Sequence, residues 1–157
     1  MALFTHSVDA ATVKQMVTIQ TMIDHEDEDS DEVTPVPTVE GEVLEKIIQW
    51  TEYHTIDHEK TEKIAWHIKY FEIDLKKKFE IIIAADYLEV ESLLNESCCN
   101  VLINNKWEII EDAANNFHDP KIASLLDNYE RKHGYEVIVT IFDNKYLKHF
   151  DTKVNDD

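Results

Sequence analysis

Of the nine residues Asp24-His25-Glu26-Asp27-Glu28-Asp29-Ser30-Asp31-Glu32, seven are acids. Such a run repels itself and buries nothing, so no compact fold carries it through a core. It predicts a solvated loop over 24–33, with a short segment before it and a long one after. Calcium binding is the functional alternative. An EF-hand loop needs alternating ligands, a central glycine and a later glutamate. The run holds no glycine, which favours the solvated loop.

The rest of the chain has core-forming material. Hydrophobic residues make up 43% of the 157, enough for one domain with an appended module. Residues 2–8 read as a short strand. Asp9 then stands where a helix N-cap would, with helical apolar spacing through Val13, Met16, Ile19, Met22 and Ile23. Pro35 and Pro37 keep 34–39 extended. Thr38 or Glu40 opens the next helix, with Val43, Leu44, Ile47, Ile48 and Thr51 on one face and Trp50 at its border. Residues 53–63 are polar and read as a linker loop.

Trp66 and Phe71 bracket a short amphipathic element. Two tandem helices follow, the first with Phe79, Ile82, Ile83, Ala84, Tyr87 and Leu88 on its apolar face. The second carries Leu93, Leu94, Cys98, Val101 and Leu102, with a polar joint at Glu89-Val90-Glu91 between the two. Trp107, Ile110, Ala114 and Phe117 keep helical spacing. Asp119-Pro120 marks a further helix start, and Gly134 its left-handed stop. The β-branched run 136–142, the Asp143-Asn144 turn and 145–150 predict a terminal β-hairpin.

Charge and motif content narrow the chemistry. Fifteen basic against 33 acidic residues leave a net charge of −18, which repels phosphate backbones and favours basic protein partners over nucleic acid. No apolar stretch approaches the roughly 18 residues a membrane span needs, and the leading residues do not read as a signal peptide. Two glycines cannot build a phosphate-cradling loop. No nucleophile elbow, metalloprotease or kinase motif occurs. Cys98 and Cys99, the two cysteines, are adjacent, a spacing that suits neither a disulfide nor a metal knuckle; packing in a reducing compartment is their reading. His54 and His58 have an i, i+4 metal spacing but no third ligand in the pattern. No catalytic residue, metal or cofactor is expected.

Two segments carry a specific likeness. Thr34 to Tyr53, TPVPTVEGEVLEKIIQWTEY, resembles the proline-strand, helix and IQW stretch of Skp-type (S-phase kinase-associated protein) adaptors, and like it follows an acidic loop. Trp66 to Leu102 repeats that family's Trp, hydrophobic-Asp, Phe-Glu, AANYL and LL-x3-C series without a gap, AANYL standing here as Ala84-Ala85-Asp86-Tyr87-Leu88. Val13 to Ile23 is similar to the family's first helical segment.

The resemblance implies an α+β fold: a BTB/POZ-like domain over 1–103, a small sheet flanked by helices, followed by divergent helices and a β-like tail over 104–157. It also implies a non-enzymatic adaptor of a ubiquitin ligase, in cytoplasm and nucleus, that joins a cullin N-terminal domain to F-box proteins. The cullin-binding residues would be Ala85, Asp86 and Tyr87, where Asp86 replaces the family's Asn and adds a negative charge. The F-box contacts would be Leu93, Leu94, Val101, Leu102, Trp107 and Ile110.

Two departures keep other functions open. The sequence enters the family pattern inside its second strand, which would leave a sheet edge exposed and favour a self-associating homodimer. The family's C-terminal F-box grip is not recognisable after about residue 104, which fits a cullin-binding decoy or regulator.

Overall fold

The computed structural model describes residues 7–25, 39–106 and 120–134. Among these, every regular element is a helix: α1 (Ala10–Val13), α2 (Val17–Asp24), α3 (Gly41–Tyr53), α4 (Lys60–Tyr70), α5 (Leu75–Tyr87), α6 (Glu91–Asn104) and α7 (Pro120–His133). The expected α+β class, a small sheet flanked by helices, is therefore corrected: no strand occurs among the described residues. The physical reason lies in the spacing. Ile47, Trp50 and Thr51, or Ile81, Ala84, Ala85 and Leu88, are buried at intervals of three and four, a helical stripe and not an alternating strand face. The β-like stretches 136–142 and 145–150, and most of 2–8, lie outside the described residues.

The chain forms two compact units, each drawn from two stretches of sequence. The first comprises 1–57 with 80–94, and the second 58–79 with 95–157.

In the first unit, the expected single helix after Asp9 is two. Asp9 caps α1 as expected, its carboxylate accepting from the Thr12 amide at 2.9 Å. That bond favours the ionised form and holds the carboxyl below its ordinary value. The chain then leaves helical geometry at Met16, with φ −102° and ψ 85°. The break lets Val13, Met16 and Ile19 all reach the interior. It also sends the Gln15 amide to the Thr51 carbonyl at 2.7 Å. Trp50 sits inside, 1% exposed, not at the border of its face. Its indole N–H donates to Ser92 Oγ at 3.1 Å, the partner a buried Trp needs.

In the second unit, α4 begins at Lys60, within the polar stretch expected to be a linker. Its inner face is Ile64, His67 and Tyr70. Trp66 stacks on Tyr70 one turn on, with ring centroids 5.1 Å apart. Burial raises the Tyr70 phenol well above its ordinary value. Cys98 and Cys99 are both buried, as packing predicts. Lys78 is buried too, its ammonium donating to Asn105 Oδ1 at 2.8 Å. Ile122 and Leu126 form the inner side of α7. Gly134 ends that helix at φ +72°, its amide returning to the Glu130 carbonyl at 2.7 Å.

Candidate partner-binding face

The face implied by the sequence begins where α5 ends. Asp74 starts that helix by accepting from the Lys77 amide at 2.8 Å. Thirteen residues later, the end is closed by a Schellman motif. The Val90 amide donates to the Ala85 carbonyl at 2.9 Å, and the Glu89 amide to the Asp86 carbonyl at 3.2 Å. Glu89 therefore occupies the left-handed position, at φ 55°, that helices usually give to glycine. A side chain in that conformation costs about 1–2 kcal/mol and persists only where its surroundings hold it.

What holds it is the start of α2. The Thr18 amide donates to the Leu88 carbonyl at 3.2 Å. The Thr18 hydroxyl lies 2.8 Å from the Tyr87 carbonyl and 3.0 Å from Glu89 Oε1, both of which accept. A helix N-terminus has amides without partners, and a helix C-terminus has carbonyls without partners. Here the two ends meet and satisfy each other, their dipoles opposed in sign where they touch.

This junction borders an open groove of about 440 Å³ lined by Gln15, Val17, Asp86, Glu89, Glu91, Ser92 and Leu94. Its walls carry three carboxylates and no basic side chain. Val17 contributes an apolar surface that is 47% exposed. The groove can therefore receive a segment that is aliphatic on one side and cationic on the other.

Of the three residues expected to face a cullin, Asp86 lines this groove, and Tyr87 is half-buried beside it with its carbonyl taken by Thr18. Ala85 is fully buried; its carbonyl closes the Schellman motif. Of those expected to contact an F-box protein, Leu94 lines the same groove. Leu93, Val101 and Leu102 are buried. Trp107 and Ile110 lie outside the described residues. The His54 and His58 side chains have separate contacts: His54 Nδ1 is 2.6 Å from the Trp50 carbonyl, and His58 Nδ1 is 3.6 Å from a Glu62 carboxylate oxygen.

Sequence reasoning missed Thr18, Gln15, Val17 and the left-handed Glu89. A local signal existed for the last: a glycine-poor chain must still end α5 before Val90, and Glu89 is the polar residue of the joint that precedes it. Nothing near Thr18 in sequence shows that its partners lie 69 to 71 residues away.

Among known families, residues 5–56, about a third of the chain, match the Skp1 family, tetramerisation domain.

Proposed function

We propose, from the likeness of residues 5–56 to the Skp1 family, that this chain is a Skp1-type adaptor joining a cullin N-terminal domain to F-box proteins in a ubiquitin ligase of the cytoplasm and nucleus. The family is one of protein–protein adaptors in the ubiquitin pathway, not of enzymes. The observation that supports this reading is Asp86 where α5 ends, lining an open groove with Val17 and Leu94, with the half-buried Tyr87 next to it in the chain. Cullin docking falls to the segment 1–103 and uses Asp86 and Tyr87, with Ala85 holding the turn from below.

The test is calorimetric titration of the full chain with a cullin N-terminal domain, and separately with an F-box peptide. Saturable binding of both supports the bridge. Asp86→Lys together with Tyr87→Ala should weaken the cullin arm at least tenfold and leave the F-box arm alone. An absence of cullin binding removes the reading.

One observation favours a second reading. Leu93, Val101 and Leu102 are inside the fold, so most of the described residues expected to grip an F-box protein are not at the surface. A chain that occupies a cullin without recruiting a receptor would bind in the first titration and not in the second.

A further inference from the structure

We propose that Thr18 is a positioning residue for partner binding, setting the α5–α6 turn in the form that the cullin-facing side chains require. The inference rests on the cullin reading above and adds to it a residue from a different helix.

Thr18 makes three hydrogen bonds to three successive residues of that turn. Its amide serves Leu88, and its hydroxyl reaches both the Tyr87 carbonyl and the Glu89 carboxylate. A hydroxyl has one hydrogen to donate, so the two acceptors share it, and both lie within ordinary hydrogen-bond distance. The Tyr87 and Leu88 carbonyls belong to the orphan set at the end of α5, which the Schellman bonds do not reach. Thr18 is the protein group seen to satisfy them.

The same contact addresses the strain at Glu89. An L-residue with positive φ tends to relax into another turn form unless its side chain or backbone is held elsewhere. The bond from Thr18 to Glu89 Oε1 provides such a hold. Relaxation of Glu89 would rotate the peptide units on either side of it. Asp86 and Tyr87 precede that pivot, and Glu91 follows it. Val17, next to Thr18, forms another wall of the groove. Thr18 thus ties the start of α2, which carries Val17, to the turn that carries Glu89.

Two amides report the turn directly, because Glu89 and Val90 donate the Schellman bonds. The experiment compares the full chain with Thr18→Val and Thr18→Ser. Hydrogen exchange is read at Glu89, Val90 and, as core references, Ile47 and Ile81. Affinity for a cullin N-terminal domain is read by calorimetry. Thr18→Val, which keeps shape and loses the hydroxyl, should speed exchange at Glu89 and Val90 about tenfold, the scale of one lost hydrogen bond. It should leave Ile47 and Ile81 unchanged and weaken cullin binding by a similar factor. Thr18→Ser should restore both readouts.

Unchanged exchange at Glu89 and Val90 in Thr18→Val overturns the proposal. So does an equal acceleration at Ile47 and Ile81, which would mean only a less stable fold, or a failure of Thr18→Ser to rescue. If the unsubstituted chain does not bind a cullin domain, the functional reading fails, and the exchange arm alone still decides whether Thr18 sets the turn.

Discussion

The two units use their polar groups differently. In the first, side chains bond helix ends: the Asp9 carboxylate accepts from the Thr12 amide, and the Gln15 side-chain amide and the Thr18 hydroxyl donate to the Thr51 and Tyr87 carbonyls. In the second, larger polar groups are taken inside. Lys78, His67, Ser97 and Asn105 are buried there, against only Thr12 and Thr51 in the first, and burial together with the nearby Cys99 raises the Tyr129 phenol well above its ordinary value. Bonds at helix ends serve backbone groups that every helix must satisfy. A buried lysine serves no such need, and its desolvation has to be offset by its partners. The first arrangement shapes a surface, whereas the second specifies an interior. The substitutions below separate the two.

The largest effect should come from the packing under the surface of the first unit. Trp50→Ala removes the largest of its fully buried side chains and the bond to Ser92. Chemical denaturation should show a loss of about 3–5 kcal/mol. A loss under 1 kcal/mol would mean that the helix-end bonds, and not Trp50, organise this unit.

The second unit makes the opposite case through an asymmetry. Asn105→Ala takes a partner from a buried ammonium and should cost about 1–3 kcal/mol. Lys78→Met removes the charge itself, keeps the aliphatic stem and leaves a neutral amide, not an ammonium, without its partner, so it should cost less than Asn105→Ala. Equal losses from the two would show that the lysine is needed as a charge, and the contrast between the units would narrow.

These contrasts also separate what the sequence could and could not tell. The inner faces of α3, α6 and α7 were readable because apolar residues recur every three or four positions, whereas on α5 the run Ile81-Ile82-Ile83 is apolar all round, so the expected face included Ile83 and missed the fully buried Ile81 and Ala85. Asp9 and Gly134 were readable because caps obey local backbone chemistry. The α1–α2 break was not, since Met16 is apolar at the right spacing for a continuous helix. What ends the helix there is the capture of Gln15 by Thr51 and of Thr18 by Leu88, both far along the chain. The sheet expectation arose from the family likeness and from β-rich stretches, and the described residues correct it to helices. Of the expected partner contacts, Asp86 and Leu94 line a groove, but nothing local in their sequence shows that Gln15 and Val17 line it with them. Ala85, Leu93, Val101 and Leu102 could not be told from core, because an apolar residue on a helical stripe reads the same whether another helix or another protein covers it.

A smaller effect isolates the strain in the turn. Glu89→Gly and Glu89→Ala both lose the carboxylate that accepts from Thr18, so they differ only in the backbone at φ 55°. Glycine reaches that conformation without the steric cost. Thermal unfolding should therefore find Glu89→Gly the more stable of the two by about 1 kcal/mol. If alanine equals or exceeds glycine, the left-handed turn is not a feature of the folded chain.

The smallest effect is a matter of pH and belongs to the first helix end. Asp9 is fully exposed, and its carboxyl is held below its ordinary value of 3.8 by the Thr12 amide. A carboxyl lowered in the folded state contributes stability above the unfolded value, and that stability is lost as pH falls through the folded one. Asn at the same position still caps the helix but does not titrate there. The difference in unfolding midpoint between the unsubstituted chain and Asp9→Asn should therefore favour the former at pH 7 and shrink steadily below about pH 4. The other carboxylates cancel in that difference, so a gap that stays constant with pH would show that the cap at Asp9 does not depend on its charge.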